Sequence, residues 1–208
     1  MGSAGSLRDR EGRHDFFFQR ARRERFVARS VYKLLEIDER YHLFKGGQRV
    51  LDLGCRPGSW LQYVSQRTMG NCDLVGIDRE GITIAIPRCR VVIGDVFTVT
   101  PEELRGELPA FDVVMSDLGP DTTGVRHVDQ ARSEALFERA LELAEQLVTP
   151  GGHFVGKIFQ GPDFQKLMQR CRATFAEVRV MKPLSSRKES IEQYIVALRR
   201  RGQGLKPA

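Results

Sequence analysis

Read for the spacing of its apolar positions, the chain divides into short β-branched runs separated by stretches of helical period. Val31, Leu34, Leu35, Ile37 and Tyr41 recur at helical spacing behind Ser30, which predicts a helix capped by that serine with Lys33 in its first turn. The runs "RVLDLG", "CDLVGID", "RVVIGDV" and "FDVVMSD" lead into glycine or aspartate and read as parallel strands buried on both faces. Ala131, Ala135, Leu136, Ala140, Leu143, Ala144 and Leu147 mark the inner side of a long helix that "TPGG" should stop. Beyond it, "HFVGKIF" reads as a fifth strand, "DFQKLMQRCRATF" as a helix, "AEVRVMK" as a sixth strand and "EQYIVALR" as a seventh. Strands alternating with helices imply an α/β architecture, and two final strands with no helix between them imply a terminal antiparallel pair.

Length and composition narrow the picture. The 208 residues suit one core, and no stretch approaches the roughly 18 unbroken apolar residues of a membrane span. Lys and Arg number 33 against 27 Asp and Glu, a net charge of +6, which favours a polyanionic partner such as nucleic acid. Arginines crowd the stretch from Leu7 to Arg29, so residues 1–25 are expected to form a flexible basic arm, 26–200 the folded domain and 201–208 a basic tail. An organelle transit peptide competes for the arm, but Asp9, Glu11, Asp15 and Glu24 are awkward in so acid-poor a class of signal. Cys55, Cys72, Cys89 and Cys171 are scattered, with no CxxC pair, as expected of reduced thiols in a cytoplasm. His14, His42, His127 and His153 show no ligand spacing, so no metal is expected.

Ligands of open α/β sheets bind outside the carboxyl ends of the strands, where Asp52-Leu53-Gly54, Asp78, Asp95 and Asp117 fall. In "RVLDLGCRPGSW", Gly54 and Gly58 let the backbone approach a ligand, and Pro57 suits the first position of a following helix. A carboxylate about 20 residues past the turn, Asp78, is placed to accept hydrogen bonds from ribose hydroxyls. The GxGxxG spacing of a nicotinamide cofactor is absent, so a nucleoside with an amino-acid tail, as in S-adenosylmethionine, fits better. A bare tight turn is the plainer reading of the two glycines, and Asp78 and Asp95 at further strand ends weigh against it.

Lys33, Asp117, Lys157 and Glu192 form a second constellation. Lys157 interrupts the apolar strand "FVGKIF", where an ammonium is costly unless paired or deprotonated. A lysine depressed toward neutrality by desolvation and a second cation, here Lys33, can serve as a general base, with Asp117 and Glu192 orienting the amines. Ordinary salt bridges would use the same four residues, and spacing alone leaves both readings open.

The segments "RSVYKLLEIDERYHLF", "VLDLGCRPGSWLQYV", "VVMSDLGP", Val128-Asp129, "PGGHFVGKIFQG" and "KPLSSRKESIEQYIVA" together resemble the FtsJ/RrmJ family of S-adenosylmethionine-dependent RNA ribose 2′-O-methyltransferases, in its bacterial large-subunit branch. The resemblance spans about Phe26 to Arg199 and rests on separated motifs in order. It implies a Rossmann-like methyltransferase fold: a seven-stranded, mostly parallel sheet with an antiparallel C-terminal strand and helices on both faces. The substrate it implies is a uridine of 23S ribosomal RNA, free or in the assembled large subunit, met by a cytoplasmic monomer with no metal and no membrane partner. The family's Lys-Asp-Lys-Glu tetrad falls on Lys33, Asp117, Lys157 and Glu192, and its cofactor positions fall on Gly54, Gly58, Trp60, Asp78, Asp95 and Asp117, with Asp78 at the ribose and Asp95 near the adenine. Cys55-Arg56 and Ser59 depart from the small residues usual in that turn, and Leu118-Gly119 replaces the commoner Met-Ala. Arg56 is read as solvent-facing, with the RNA backbone as its alternative partner. A transfer RNA ribose methyltransferase, a nicotinamide oxidoreductase and a noncatalytic RNA-binding protein are the rival readings.

Overall fold

The computed structural model of the chain describes residues 16–186 and 190–202. It opens in a helix through residue 23 (α1, residues 16–23), followed by α2 (Val31–Tyr41), β1 (Arg49–Leu53), α3 (Ser59–Arg67), β2 (Asp73–Asp78) and β3 (Cys89–Ile93). Then come α4 (Pro101–Arg105), β4 (Phe111–Ser116), α5 (Arg126–Leu147), β5 (Val148–Phe159), α6 (Phe164–Thr174), β6 (Phe175–Met181) and β7 (Glu192–Arg200). The seven strands lie in the order β3-β2-β1-β4-β5-β7-β6. β1 to β5 pair in parallel, and β7 inserts antiparallel between β5 and β6.

Both faces of the sheet are covered, which explains the nearly unbroken apolar strands. Leu51, Leu53, Val114, Phe154 and Ile158 pack beneath α4, α5 and α6, while their neighbours Val50, Val113, Met115 and Val155 meet α1, α2 and α3. This period of two sends successive side chains of one strand into opposite cores.

Several local expectations are corrected. Ser30 precedes α2 without capping it: its hydroxyl lies 2.9 Å from that of Ser59, and its carbonyl accepts the Trp60 indole N–H. α3 starts at Ser59 behind Gly58, so Pro57 belongs to the turn and not to the helix. "TPGG" forms no separate stop, because α5 runs directly into β5 at Val148 and the register irregularity is absorbed opposite Phe111–Val113. Ala131 and Ala135 face outward. Ser133 and Glu134 turn inward instead, since the Ser133 hydroxyl accepts the Phe159 amide at 2.9 Å and the Glu134 carboxylate accepts the Gly161 amide at 3.1 Å. Of the basic arm read over residues 1–25, residues 1–15 lie outside the described residues, as do 203–208 of the tail, and α1 is packed, with Ala21 buried.

Candidate functional site

Lys33, Asp117, Lys157 and Glu192 converge at one end of the sheet. Asp117 follows β4, Lys157 lies in β5, Glu192 begins β7, and Lys33 sits in the first turn of α2. Antiparallel pairing places Lys157 beside Tyr194 and Phe159 beside Glu192. The Lys157 ammonium donates to the Asp117 carbonyl at 2.7 Å and lies 3.1 Å from its carboxylate. Lys33 Nζ is 2.9 Å from Glu192 and 3.9 Å from Asp117. The four side chains are between 11% and 19% exposed, so the ion pairs are little screened yet remain open to a ligand. Burial pushes the Asp117 carboxyl up, but the charges on Lys157 and Lys33 and hydrogen bonds from Tyr194 and Lys157 outweigh it and hold the group below the usual carboxylate range.

Tyr194 was not among the residues read from the sequence. Its hydroxyl donates to Asp117 Oδ1 at 2.5 Å, and Lys33 Nζ lies 5.7 Å from its ring centroid. Burial, and then the charges on Asp117 and Glu192, keep the phenol firmly protonated. The available signal was its position two residues after Glu192, on the same side of a strand.

Beside this cluster a cavity of about 610 Å³ opens at the strand ends, with Gly54, Asp78, Asp95, Asp117, Leu118 and Arg132 in its wall. The size suits a nucleoside with a tail. Asp78 accepts the amides of Arg56 (3.1 Å) and Glu80 (3.3 Å), and Asp95 accepts that of Phe97 (2.9 Å). Gly54 has φ +82, and a Cβ there would meet Leu118 Cδ2 at 2.8 Å, so the turn closes only on glycine. A Cβ at Gly119 would stand 2.8 Å from Lys157 Nζ, so the Leu118-Gly119 departure fits both the turn and the lysine.

Gly58 and Trp60 are absent from the cavity wall. Gly58, at φ +110, leads into α3. Trp60 is 3% exposed, its indole N–H on the Ser30 carbonyl and its ring 5.9 Å from that of Tyr194, which makes it a buried support for the site. Arg56 borders the cavity and is exposed, as the sequence suggested, with its guanidinium 2.8 Å from the equally exposed Glu80 carboxylate.

Asp52 is 1% exposed, and neither carboxylate oxygen has a hydrogen-bond partner among the described residues. Burial, and then the charges of Asp117 and Asp78, raise it well above the usual range. Held toward its neutral form, Asp52 adds no charge of its own; the carboxylates that meet a ligand are those of Asp78, Asp95, Asp117 and Asp121 in the cavity wall, and they suit one carrying positive charge, as the sulfonium and ammonium of S-adenosylmethionine do.

The loop leaving the cavity at Pro120 is fastened. Asp129 accepts the Thr123 amide (2.7 Å), its hydroxyl (2.9 Å) and the Gly124 amide (3.2 Å), and Arg132 donates to the Asp121 carbonyl.

Residues 26–200 match the family described as FtsJ-like methyltransferase. The chain is similar to the ribosomal RNA large subunit methyltransferase E of Syntrophobacter fumaroxidans, with 46% identity over 191 residues, 90% of this chain and 96% of that protein. It is also similar to the protein of that name from Bdellovibrio bacteriovorus, at 43% identity over 187 residues, 88% and 95% of the two chains. Among solved structures, a Plasmodium falciparum protein assigned as a ribosomal RNA methyltransferase superposes with a TM-score of 0.75 at 26% identity, covering 86% of this chain and all of that one.

Proposed function

The chain belongs to the FtsJ-like methyltransferase family, and on that footing we propose that it methylates the ribose 2′-hydroxyl of a uridine in large-subunit ribosomal RNA, with S-adenosylmethionine as donor. The observation that carries this reading is the Lys157 ammonium held against Asp117 at the mouth of a carboxylate-lined cavity. Residues 26–200 act as the catalytic domain of a cytoplasmic monomer.

S-adenosylmethionine supplies a methyl group already activated on a sulfonium, so the protein's contribution is chiefly alignment. Asp78 would hold the cofactor ribose and Asp95 would lie near its base. Gly54 and Leu118 shape the floor. Lys157 Nζ would receive the proton that the 2′-hydroxyl gives up as its oxygen bonds to the methyl carbon, the carbon–sulfur bond breaking to release the neutral thioether S-adenosylhomocysteine. Asp117 fixes the position of that amine, while Lys33, held by Glu192, faces the phosphates of the RNA. The fastened loop after Pro120 covers the substrate.

Asp78→Ala should weaken S-adenosylmethionine binding by about 1.5–3 kcal/mol, the worth of hydrogen bonds to a charged acceptor, as read by calorimetry. Unchanged affinity would remove Asp78 from the site. Arg56→Ala, which breaks an exposed ion pair, should shift stability by no more than about 0.5 kcal/mol in denaturant unfolding. The substrate is tested by mapping 2′-O-methylated nucleotides in large-subunit RNA from cells with and without the gene. One missing methyl, restored by purified protein and S-adenosylmethionine, is expected; an unaltered large-subunit map with a change in transfer RNA would move the enzyme to that substrate.

A further inference from the structure

We propose that the two exposed flanks of α1, on either side of the packed Phe17–Ala21 side, are stacking surfaces for unpaired nucleotides of the RNA substrate, an inference that rests on the RNA reading above. Phe16 and Phe18 are 55% and 50% exposed on this helix. Two aromatic rings left half in water on one helix invite a partner.

The helix is built in. Phe17 packs on Tyr32 with centroids 5.3 Å apart, Phe26 meets the same ring at 6.4 Å, and the Arg20 guanidinium lies 4.5 Å from its centroid. Glu24 accepts from both Arg20 Nε (2.8 Å) and the Tyr32 hydroxyl (3.0 Å). The segment that follows is tied to α3, where Gln62 accepts the Val27 amide and donates to the Arg25 carbonyl. Phe16 stands edge-on to Phe17 at 5.3 Å and so ends an aromatic run anchored in the core. Tyr32 is the residue before Lys33, so the helix that presents the rings is braced on the helix that carries one corner of the tetrad.

Charge identifies the occupant. Residues 16–29 hold five arginines and one glutamate, and Arg22, Arg23 and Arg25 are exposed. A lipid surface would take the continuous apolar side of an amphipathic helix, but Phe17 and Ala21 are already turned onto the protein. Separate rings among cations match single-stranded nucleic acid, whose bases offer flat π-faces to phenylalanine and whose phosphates suit arginine.

Stacking and phosphate contacts differ in salt dependence, which gives the test. Full-length protein is titrated with a single-stranded oligoribonucleotide and with the corresponding duplex across a salt series. Phe16→Ala/Phe18→Ala should weaken single-strand binding at least about tenfold, with the slope of log affinity against log salt unchanged and duplex binding unaffected. Arg22→Gln/Arg23→Gln should flatten the slope on both RNAs. The rings are exposed, so thermal unfolding of the phenylalanine variant should match that of the unaltered protein. Unchanged single-strand affinity, an equal loss on duplex, or a loss seen only with assembled large subunits, which would indicate a protein partner, would each overturn the proposal. Failure of the RNA reading itself is distinct: the unaltered protein would then bind neither RNA.

Discussion

Lys157→Ala is expected to slow single-turnover methyl transfer by about 10²–10⁴-fold, the usual contribution of a general base, while S-adenosylmethionine affinity stays nearly intact. The side chain is 11% exposed, and its amine is held by the carbonyl and carboxylate of Asp117, so truncation removes the proton acceptor without opening the cofactor pocket. Lys157→Arg should not restore the rate, because a guanidinium stays protonated at any workable pH and cannot accept the hydroxyl proton. The assay is single-turnover transfer to large subunits at saturating cofactor. Near-normal activity of the arginine variant would recast Lys157 as an electrostatic or positioning group, and near-normal activity of the alanine variant would take it out of the site.

Asp117→Asn should damage stability, cofactor binding and rate together. One carboxylate serves Lys157 at 3.1 Å, Lys33 at 3.9 Å and the Tyr194 hydroxyl, and it also lines the cavity. Removing one partner from a buried charge cluster costs about 3–5 kcal/mol, equivalent to a fall of about 6–20 °C in Tm for a chain of this length. The pH dependence has a definite sign. Asp117 is held below the ordinary carboxylate range, so its contribution is complete above an unfolded value near ~3.9 and is lost as pH falls through the lower folded value. Denaturant unfolding across the acid range should therefore show a steeper loss for the unaltered protein than for Asp117→Asn. Identical acid slopes would mean that Asp117 is not stabilised as a carboxylate.

Much of the fold was legible because its strands are buried on both faces and short-range pattern alone marks such runs. All seven emerged within a few residues of their observed limits, and the antiparallel placement at the end followed from two strands with no helix between them. α4 was missed although its signal was local: Thr100 and Glu103 form a reciprocal capping box around Pro101, a spacing readable in "TPEE". The inward side of α5 was misassigned for a different reason. Ser133 and Glu134 are buried because backbone amides from Phe159 and Gly161 need acceptors, and hydrophobicity carries no trace of that need.

At the site, sequence determined the chemical types: a glycine turn, carboxylates at strand ends, a lysine inside an apolar strand and the motifs that fixed the family. Tertiary structure decided which groups meet. Lys33 and Glu192 are 159 positions apart and touch only because α2 packs on the face of the sheet where β7 pairs with β5. Trp60 turns its indole N–H to the Ser30 carbonyl and Tyr194, an unremarked strand residue in the sequence, meets Asp117, while Asp52 emerged as a buried carboxyl with no hydrogen-bond partner among the described residues. The cause is common to all three: side-chain hydrogen bonds and desolvation depend on three-dimensional neighbours, whereas strand and helix patterns depend on residues a few places away.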